Sequence, residues 1–381
     1  MKPASESTPS GQSAAARRTS SRVGIVLVLG FGGSCSGSAA IQDQVRDGSQ
    51  DQVRDGSDDI AATPDASGDA ASEPEAEPPS DPTEAGCAIN CVGGCDGGSC
   101  LVTLLEHYDH PYGVAVDATS VYVTTNVQNT GVVIKIPLAG GPPITLAAGQ
   151  NYPHTIVLDA NSAYWTNSTQ VIGAVMKVPL GGGDPVTLAS DQDYAHGIAV
   201  DATSVYWTTI NGGTVMKTPL DGGPLTTLAS GQGSPYDLVV DATSVYWSNY
   251  VTHEIMKTSL EGGQPITLAT GQDAPDGIAV DATNVYWTTV VGGTIMKVPR
   301  AGGTPVVLAE GNAAPYGMTL NGENVYWANF TGGTIMKVPR AGGPAITLAS
   351  GAEAYHLAVD ATSVYWTNYN PPGTVMKLTP K

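Results

Sequence analysis

Seven side chains able to stack and to hydrogen-bond fall at one recurring place in this chain: Tyr112, His154, His196, Tyr236, Asp276, Tyr316 and His356. Each stands just before a short β-like run, and three of the protein's six histidines are among them. Tyrosine and histidine combine flat apolar area with a polar tip, the pairing that seats ligands in concave sites. Imidazole also serves as a general base or a metal ligand, which makes His154, His196 and His356 the candidates for such chemistry. A metal would need carboxylates beside them, and Asp276 is the only one in the set. No His-Glu-x-x-His, Gly-x-Ser-x-Gly or Walker motif occurs, so the sequence assigns no catalytic residue, no metal and no cofactor. The expectation is a ligand-binding site formed by the seven residues.

The elements that must position them repeat. A Tyr-Trp pair recurs at Tyr164, Tyr206, Tyr246, Tyr286, Tyr326 and Tyr365, preceded by a Tyr122-Val123 copy. Successive tyrosines lie 42, 42, 40, 40, 40 and 39 residues apart, a period that belongs to propeller blades. Within the third copy, four β-like runs occupy residues 197–200, 205–209, 213–218 and 225–229, here termed strands A to D, with Gly, Pro, Asp and Ser between them. Each run is too short for a helix, so one unit is a four-stranded antiparallel meander. Such a sheet is apolar on both faces, and radial stacking of copies buries both. The fold class is therefore all-β: a seven-bladed β-propeller over residues 101–381. Residues 101–105 match a D strand and the chain ends after a C strand, so the N-terminal strand is expected to complete the last blade and close the ring.

Comparison of the seven copies separates scaffold from variable surface. An Asp opens the A–B turn in all copies but the sixth, which has Asn321; its expected role is to hydrogen-bond the turn backbone. A Lys recurs in strand C (Lys135, Lys177, Lys217, Lys257, Lys297, Lys337, Lys377) and is expected to be a solvated or snorkelling rim residue. The D–A and B–C connections vary, the latter carrying Asn126, Asn167, Tyr250, His253, Phe330 and Tyr369 among others. In a meander these two connections emerge on one face, so the seven candidate residues should converge on one mouth of the central channel.

The Val-Tyr-Trp-Thr runs, with Gly-Ile-Ala-Val-Asp before them, resemble YWTD and NHL propeller repeats over about three quarters of the chain. That resemblance implies a β-propeller, and the expected function is a tethered module that presents one propeller face to a peptide, glycan or protein. The copies depart from it in having Asn or Thr where the family has Asp, and seven units where many relatives have six. The repeats are also similar to those of seven-bladed lyases that open streptogramin antibiotics, which implies an alternative: a metal-dependent lyase or hydrolase with His154, His196 and His356 as base and ligands. A structural cell-envelope protein is a further alternative.

The N-terminal quarter reads as targeting and tether. Lys2, Arg17, Arg18 and Arg22 precede an apolar run of about nine residues, 23–31, too short to span a bilayer and suited to a signal peptide. Gly33-Ser34-Cys35 resembles a bacterial lipobox, which makes Cys35 the expected lipidation site and 1–40 the export segment. Residues 41–86 are rich in Asp, Glu, Ser and Pro, a composition for a disordered acidic linker. Cys87, Cys91, Cys95 and Cys100 lack the spacing of zinc pairs and, in an exported chain, are expected to form two disulfides across residues 87–100. The formal charge of −19 repels phosphate backbones and anionic lipid, so nucleic acid is excluded as a partner and membrane contact is expected only through the lipid anchor. The expected location is the bacterial cell envelope, or the secreted fraction.

Overall fold

The computed structural model describes residues 99–170 and 172–381. The expected export segment, linker, Cys35, Cys87, Cys91 and Cys95 lie outside the described residues. Cys100 lies within them and is disulfide-bonded.

Twenty-eight strands form seven four-stranded antiparallel sheets, with no helix among the described residues. The first blade runs Pro111–Val116, Ser120–Thr125, Gly131–Pro137 and Ile144–Gln150, in chain order across the sheet. Five further blades repeat this order. The seventh takes Ala354–Val359, Val364–Asn368 and Gly373–Thr379 from the end of the chain and Cys100–Tyr108 from its beginning. That first strand pairs antiparallel with the last, from Cys100 opposite Thr379 to Tyr108 opposite Gly373. Each A strand touches the A strands of both neighbouring blades, and the first meets the last, so the A strands line a central channel.

Apolar side chains cluster between blades rather than within them. One cluster joins Tyr122 and Val133 of the first blade to Ile156 and Trp165 of the second. Another joins Leu105, Tyr365 and Val375 of the closing blade to Val114 and Val121 of the first. Six tryptophans and their tyrosine neighbours are almost fully buried in these seams, where each large aromatic contributes about 2–3 kcal/mol of burial free energy.

Strand B ties the ring together through three successive side chains. The Tyr hydroxyl donates to the Asp of its own A–B turn, as from Tyr206 to Asp201 Oδ2 at 2.7 Å, while Asp201 Oδ1 accepts the backbone N–H groups of Thr203 and Ser204. The Trp indole donates back to the preceding blade: Trp207 to Gln192 Oε1 at 2.9 Å and Trp287 to Gln272 Oε1 at 3.0 Å. The Thr hydroxyl donates forward to the next blade's A strand, as from Thr208 to the Tyr236 carbonyl at 2.6 Å.

The strand C lysines correct one expectation. Lys135, Lys177 and Lys297 donate to the carbonyls of Leu180, Leu220 and Arg340 in the next blade, at 3.0, 3.0 and 2.7 Å. Lys135 and Lys177 also lie over Tyr122 and Tyr164, 5.6 and 5.5 Å from the ring centroids. These residues are inter-blade ties: the ammonium runs along the tyrosine face and reaches the carbonyl that opens the neighbour's C–D turn.

Tyr206→Phe should cost about 2 kcal/mol in chemical denaturation, because it removes a hydrogen bond to an ionised acceptor. Tyr326→Phe, whose turn carries the neutral Asn321 in place of Asp and whose hydroxyl bonds the neutral Asn324, should cost about half as much. Equal losses at the two positions would contradict the role given to the turn carboxylates.

Candidate functional site

The D–A and B–C connections meet on one face and are bonded to each other. Asn126, Ser168, Ile210, Tyr250, Val290, Phe330 and Tyr369, each the first residue of a B–C loop, donate their N–H to the carbonyls of His110, Tyr152, Tyr194, Ser234, Ala274, Ala314 and Glu353 in the D–A connections. Six of these acceptors hold positive φ, from 48° at His110 to 62° at Tyr194, an unfavourable backbone for side-chain-bearing residues that recurs at the rim of the mouth.

Immediately after that kink the chain delivers the candidate residues. Tyr112, His154, His196, Tyr236, Asp276 and Tyr316 follow Pro or Ala at the first position of their strands. The seventh member differs from the sequence expectation. In the last blade Ala354 pairs with Asn368 and Leu357 with Trp366, matching Pro111 opposite Thr125 and Val114 opposite Val123 in the first. Tyr355 therefore occupies the ring position and His356 the next one along. The shorter repeat of 39 residues hid this shift, since the tyrosine spacing counts the blade without locating the missing residue.

The side chains form a contiguous arc. Ring centroids are 5.0 Å apart for Tyr316 and Tyr355, 5.2 Å for Tyr355 and Tyr112, 4.0 Å for Tyr112 and His154, 4.2 Å for His154 and His196, and 4.7 Å for His196 and Tyr236. Asp276 completes the circle between Tyr236 and Tyr316. Phe330 stacks on Tyr355 at 4.1 Å and Tyr250 on Tyr236 at 4.6 Å, which adds B–C loop aromatics to the wall. His356 lies 4.8 Å from Tyr112 and reaches the channel behind the arc, a cavity of about 450 Å³ that it lines with Asp237. His253 is turned elsewhere, its Nδ1 2.9 Å from the Gln272 carbonyl.

Strand B of the preceding blade fixes the backbone of this arc. Thr367, Thr166, Thr208 and Ser248 donate to the carbonyls of Tyr112, His196, Tyr236 and Asp276 at 2.6 to 2.7 Å. Glycine follows the ring residue in four blades because the next A strand is so close: a Cβ on Gly197 would fall 2.6 Å from the Tyr236 carbonyl oxygen. The Thr of the Tyr-Trp-Thr run is thus a positioning residue for the mouth. The sequence shows this Thr only as part of a repeated run; its link to the mouth comes from the ring geometry.

The electrostatics are unusual for a solvent-facing mouth. Burial, reinforced by the positive forms of the neighbouring histidines, holds His154 well below the ordinary histidine range. Burial likewise lowers His196 to about 3 and His356 to about 4. All three are neutral at pH 7, and His196 Nδ1 is buried without a hydrogen-bond partner. Asp276 is pushed up to about 8 by burial and then by the neighbouring Asp237, against one backbone hydrogen bond from Gly277. Asp237 rises to about 6 by burial, although the N–H groups of Leu238 and Ile278 donate to it. The arc thus presents neutral imidazoles and phenols closed by a carboxyl that is largely protonated at neutral pH.

The histidines meet ring against ring, and among the described residues no group of three or more His, Cys, Asp or Glu is gathered to hold an ion.

No family model matches the chain, and no curated protein matches it. Among solved structures it is similar to a streptogramin B lyase, with 14 % identity and a TM-score of 0.64 over 74 % of this chain and 98 % of the other. A catalytically inactive virginiamycin B lyase from Staphylococcus aureus with quinupristin gives 16 % identity and a TM-score of 0.64, covering 74 % and 99 %. The WD40 propeller domain of Doa1 gives 15 % and 0.60, covering 72 % and 95 %. At these identities the likeness is one of fold, and the class it defines is the β-propeller.

Asp276 makes stability depend on pH with a definite sign. Between its ordinary value and about 8 the folded state holds a proton that the unfolded chain has released, so wild-type stability falls as pH rises through that window. Asp276→Asn should therefore gain on wild type as pH is raised from 4 to 8, with a limiting slope of about 1.4 kcal/mol per pH unit. A stability difference independent of pH in urea titrations would contradict the assigned burial.

Proposed function

We propose that the protein is an exported, lipid-anchored recognition module of YWTD type, whose propeller mouth receives a peptide, glycan or protein. The observation that carries this reading is the unbroken arc from Tyr316 through Tyr355, Tyr112, His154 and His196 to Tyr236, with centroid spacings of 4.0 to 5.2 Å. Six polar-tipped rings, with Tyr112, His154, His196 and Tyr236 held from behind by strand B hydroxyls, make a preorganised binding surface, and preorganisation lowers the entropic cost of association. The variable residues sit on the mouth while the scaffold repeats almost unchanged, as in a binding fold whose specificity lies in its loops. Lipidation at Cys35 would tether the propeller through residues 41–86, and the cysteine cluster would close the junction with disulfides.

Catalysis is the weaker reading. Imidazoles whose basicity burial lowers, with no ionised carboxylate beside them, are weak candidates for a metal-assisted base, and the resemblance to streptogramin lyases extends to fold alone.

The protein purified from its native envelope, or from a bacterial host that lipidates, should carry a diacylglyceryl group on Cys35. An unmodified N-terminus at Ile41 would reject the anchor. In peptide and glycan arrays, His196→Ala/Tyr236→Ala should lose the hits of the wild type at least tenfold while keeping its melting temperature. Unchanged binding would reject the arc as the site, and turnover of a cyclic depsipeptide that a chelator abolishes would favour the lyase reading.

A further inference from the structure

The first two repeats are two residues longer than the next three, and the extra residues fall in their B–C loops. Between these loops lies a cavity of about 450 Å³, open on the mouth face and distinct from the central channel. Of the arc, only His154 reaches it.

Its lining is polar and carries no ionised group. Asn126, Gln128, Asn151 and Gln170 supply amides, Tyr152 and Tyr194 supply rings, and His154 is held neutral by burial. Ser168 and Thr169 also line it, and their hydroxyls are buried with no hydrogen-bond partner. Ser168 is only 8 % exposed. Buried hydroxyls are normally paired, so two of them on one polar cavity leave bonding capacity that water or a ligand in the cavity would fill.

The backbone around them is fixed before any ligand arrives. Ser168 donates its N–H to the Tyr152 carbonyl at 2.9 Å, and Tyr194 donates its N–H to the Thr169 carbonyl at 3.0 Å. Tyr152 and Tyr194 themselves hold positive φ, 53° and 62°. Both rings are thereby set at the cavity wall rather than left to swing in a loop.

The geometry points to a second binding site, between the first two blades, for an uncharged saccharide unit. The chemistry of the lining selects this class. An ionic ligand would be desolvated among groups with no counter-charge. Among the described residues, Ile172 is the one aliphatic side chain that an apolar ligand would meet. A sugar presents hydroxyls that both donate and accept, matching primary amides and serine or threonine hydroxyls, and apolar C–H faces that lie against tyrosine rings. The cavity volume falls in the range of small-ligand sites. This inference goes beyond the arc and does not depend on it, since the two sites share only His154.

Saturation-transfer NMR and calorimetry against neutral sugars (glucose, galactose, mannose, N-acetylglucosamine and their β-linked disaccharides) test it in the full chain. At least one should bind with Kd below about 1 mM. Ser168→Ala/Thr169→Ala should weaken that sugar at least tenfold while the melting temperature stays level or rises, because the substitution removes orphaned polar groups. Gln128→Ala/Gln170→Ala, at exposed loop positions, should weaken it several-fold without touching the core. Absence of binding to every sugar, or binding indifferent to both the Ser168/Thr169 and the Gln128/Gln170 variants, would overturn the proposal. A lowered melting temperature in Ser168→Ala/Thr169→Ala would also count against it, since the hydroxyls would then be structural.

Discussion

The pairing of Cys100–Tyr108 with Gly373–Thr379 is the constraint on which the rest of the structure depends. No blade is stable alone, because each sheet buries one face against the blade before it and the other against the blade after it. Six complete meanders and one incomplete one would leave an open edge and an exposed seam between Tyr365 and Val114. The first strand fills that edge, and in doing so places Leu105 in the last seam. Once the ring is closed, every other contact becomes repetitive.

Closure also explains how a uniform scaffold carries an irregular mouth. Strand B points its three successive side chains at three different targets: its own turn, the blade behind and the blade ahead. Ring residues of three kinds, Tyr112 and Tyr236, His196 and Asp276, are therefore held alike by a hydroxyl from the neighbouring blade. Substituting Tyr for His for Asp at that position leaves the backbone anchor intact, so the mouth can diversify without disturbing the fold. The sixth blade tests the limits of the pattern: Asn321 and Ala328 replace the usual Asp and Thr, and Lys381 from the chain end lies over Tyr326 and donates to the Asp360 carbonyl.

Much of the fold was legible in the sequence because a propeller is specified by repetition. The period, the four short runs and the mismatched ends determine seven blades and a closing strand before any contact is known. The mouth was legible in part. Six of its seven ring members follow from the column before strand A, whereas His356 was read in place of Tyr355 because the 39-residue spacing shows that a residue is missing without showing where. The strand C lysines were misjudged for a related reason: whether a rim side chain meets water or a neighbour's carbonyl depends on the rotation between blades, which no single repeat encodes. The cavity between the first two blades had only one trace in the sequence, the 42-residue spacing.

Amide hydrogen exchange on the full chain tests the closing pair most directly. The N–H groups of Val102–Leu105 and of their partners Val375–Lys377 should be protected to the same degree as Ile266–Ala269 with Ile255–Lys257, an internal pair of the same kind. If Val102–Leu105 exchange at the rate of a frayed terminus while the internal pair stays protected, the ring is not sealed by its first strand and the account of the mouth built on it is wrong.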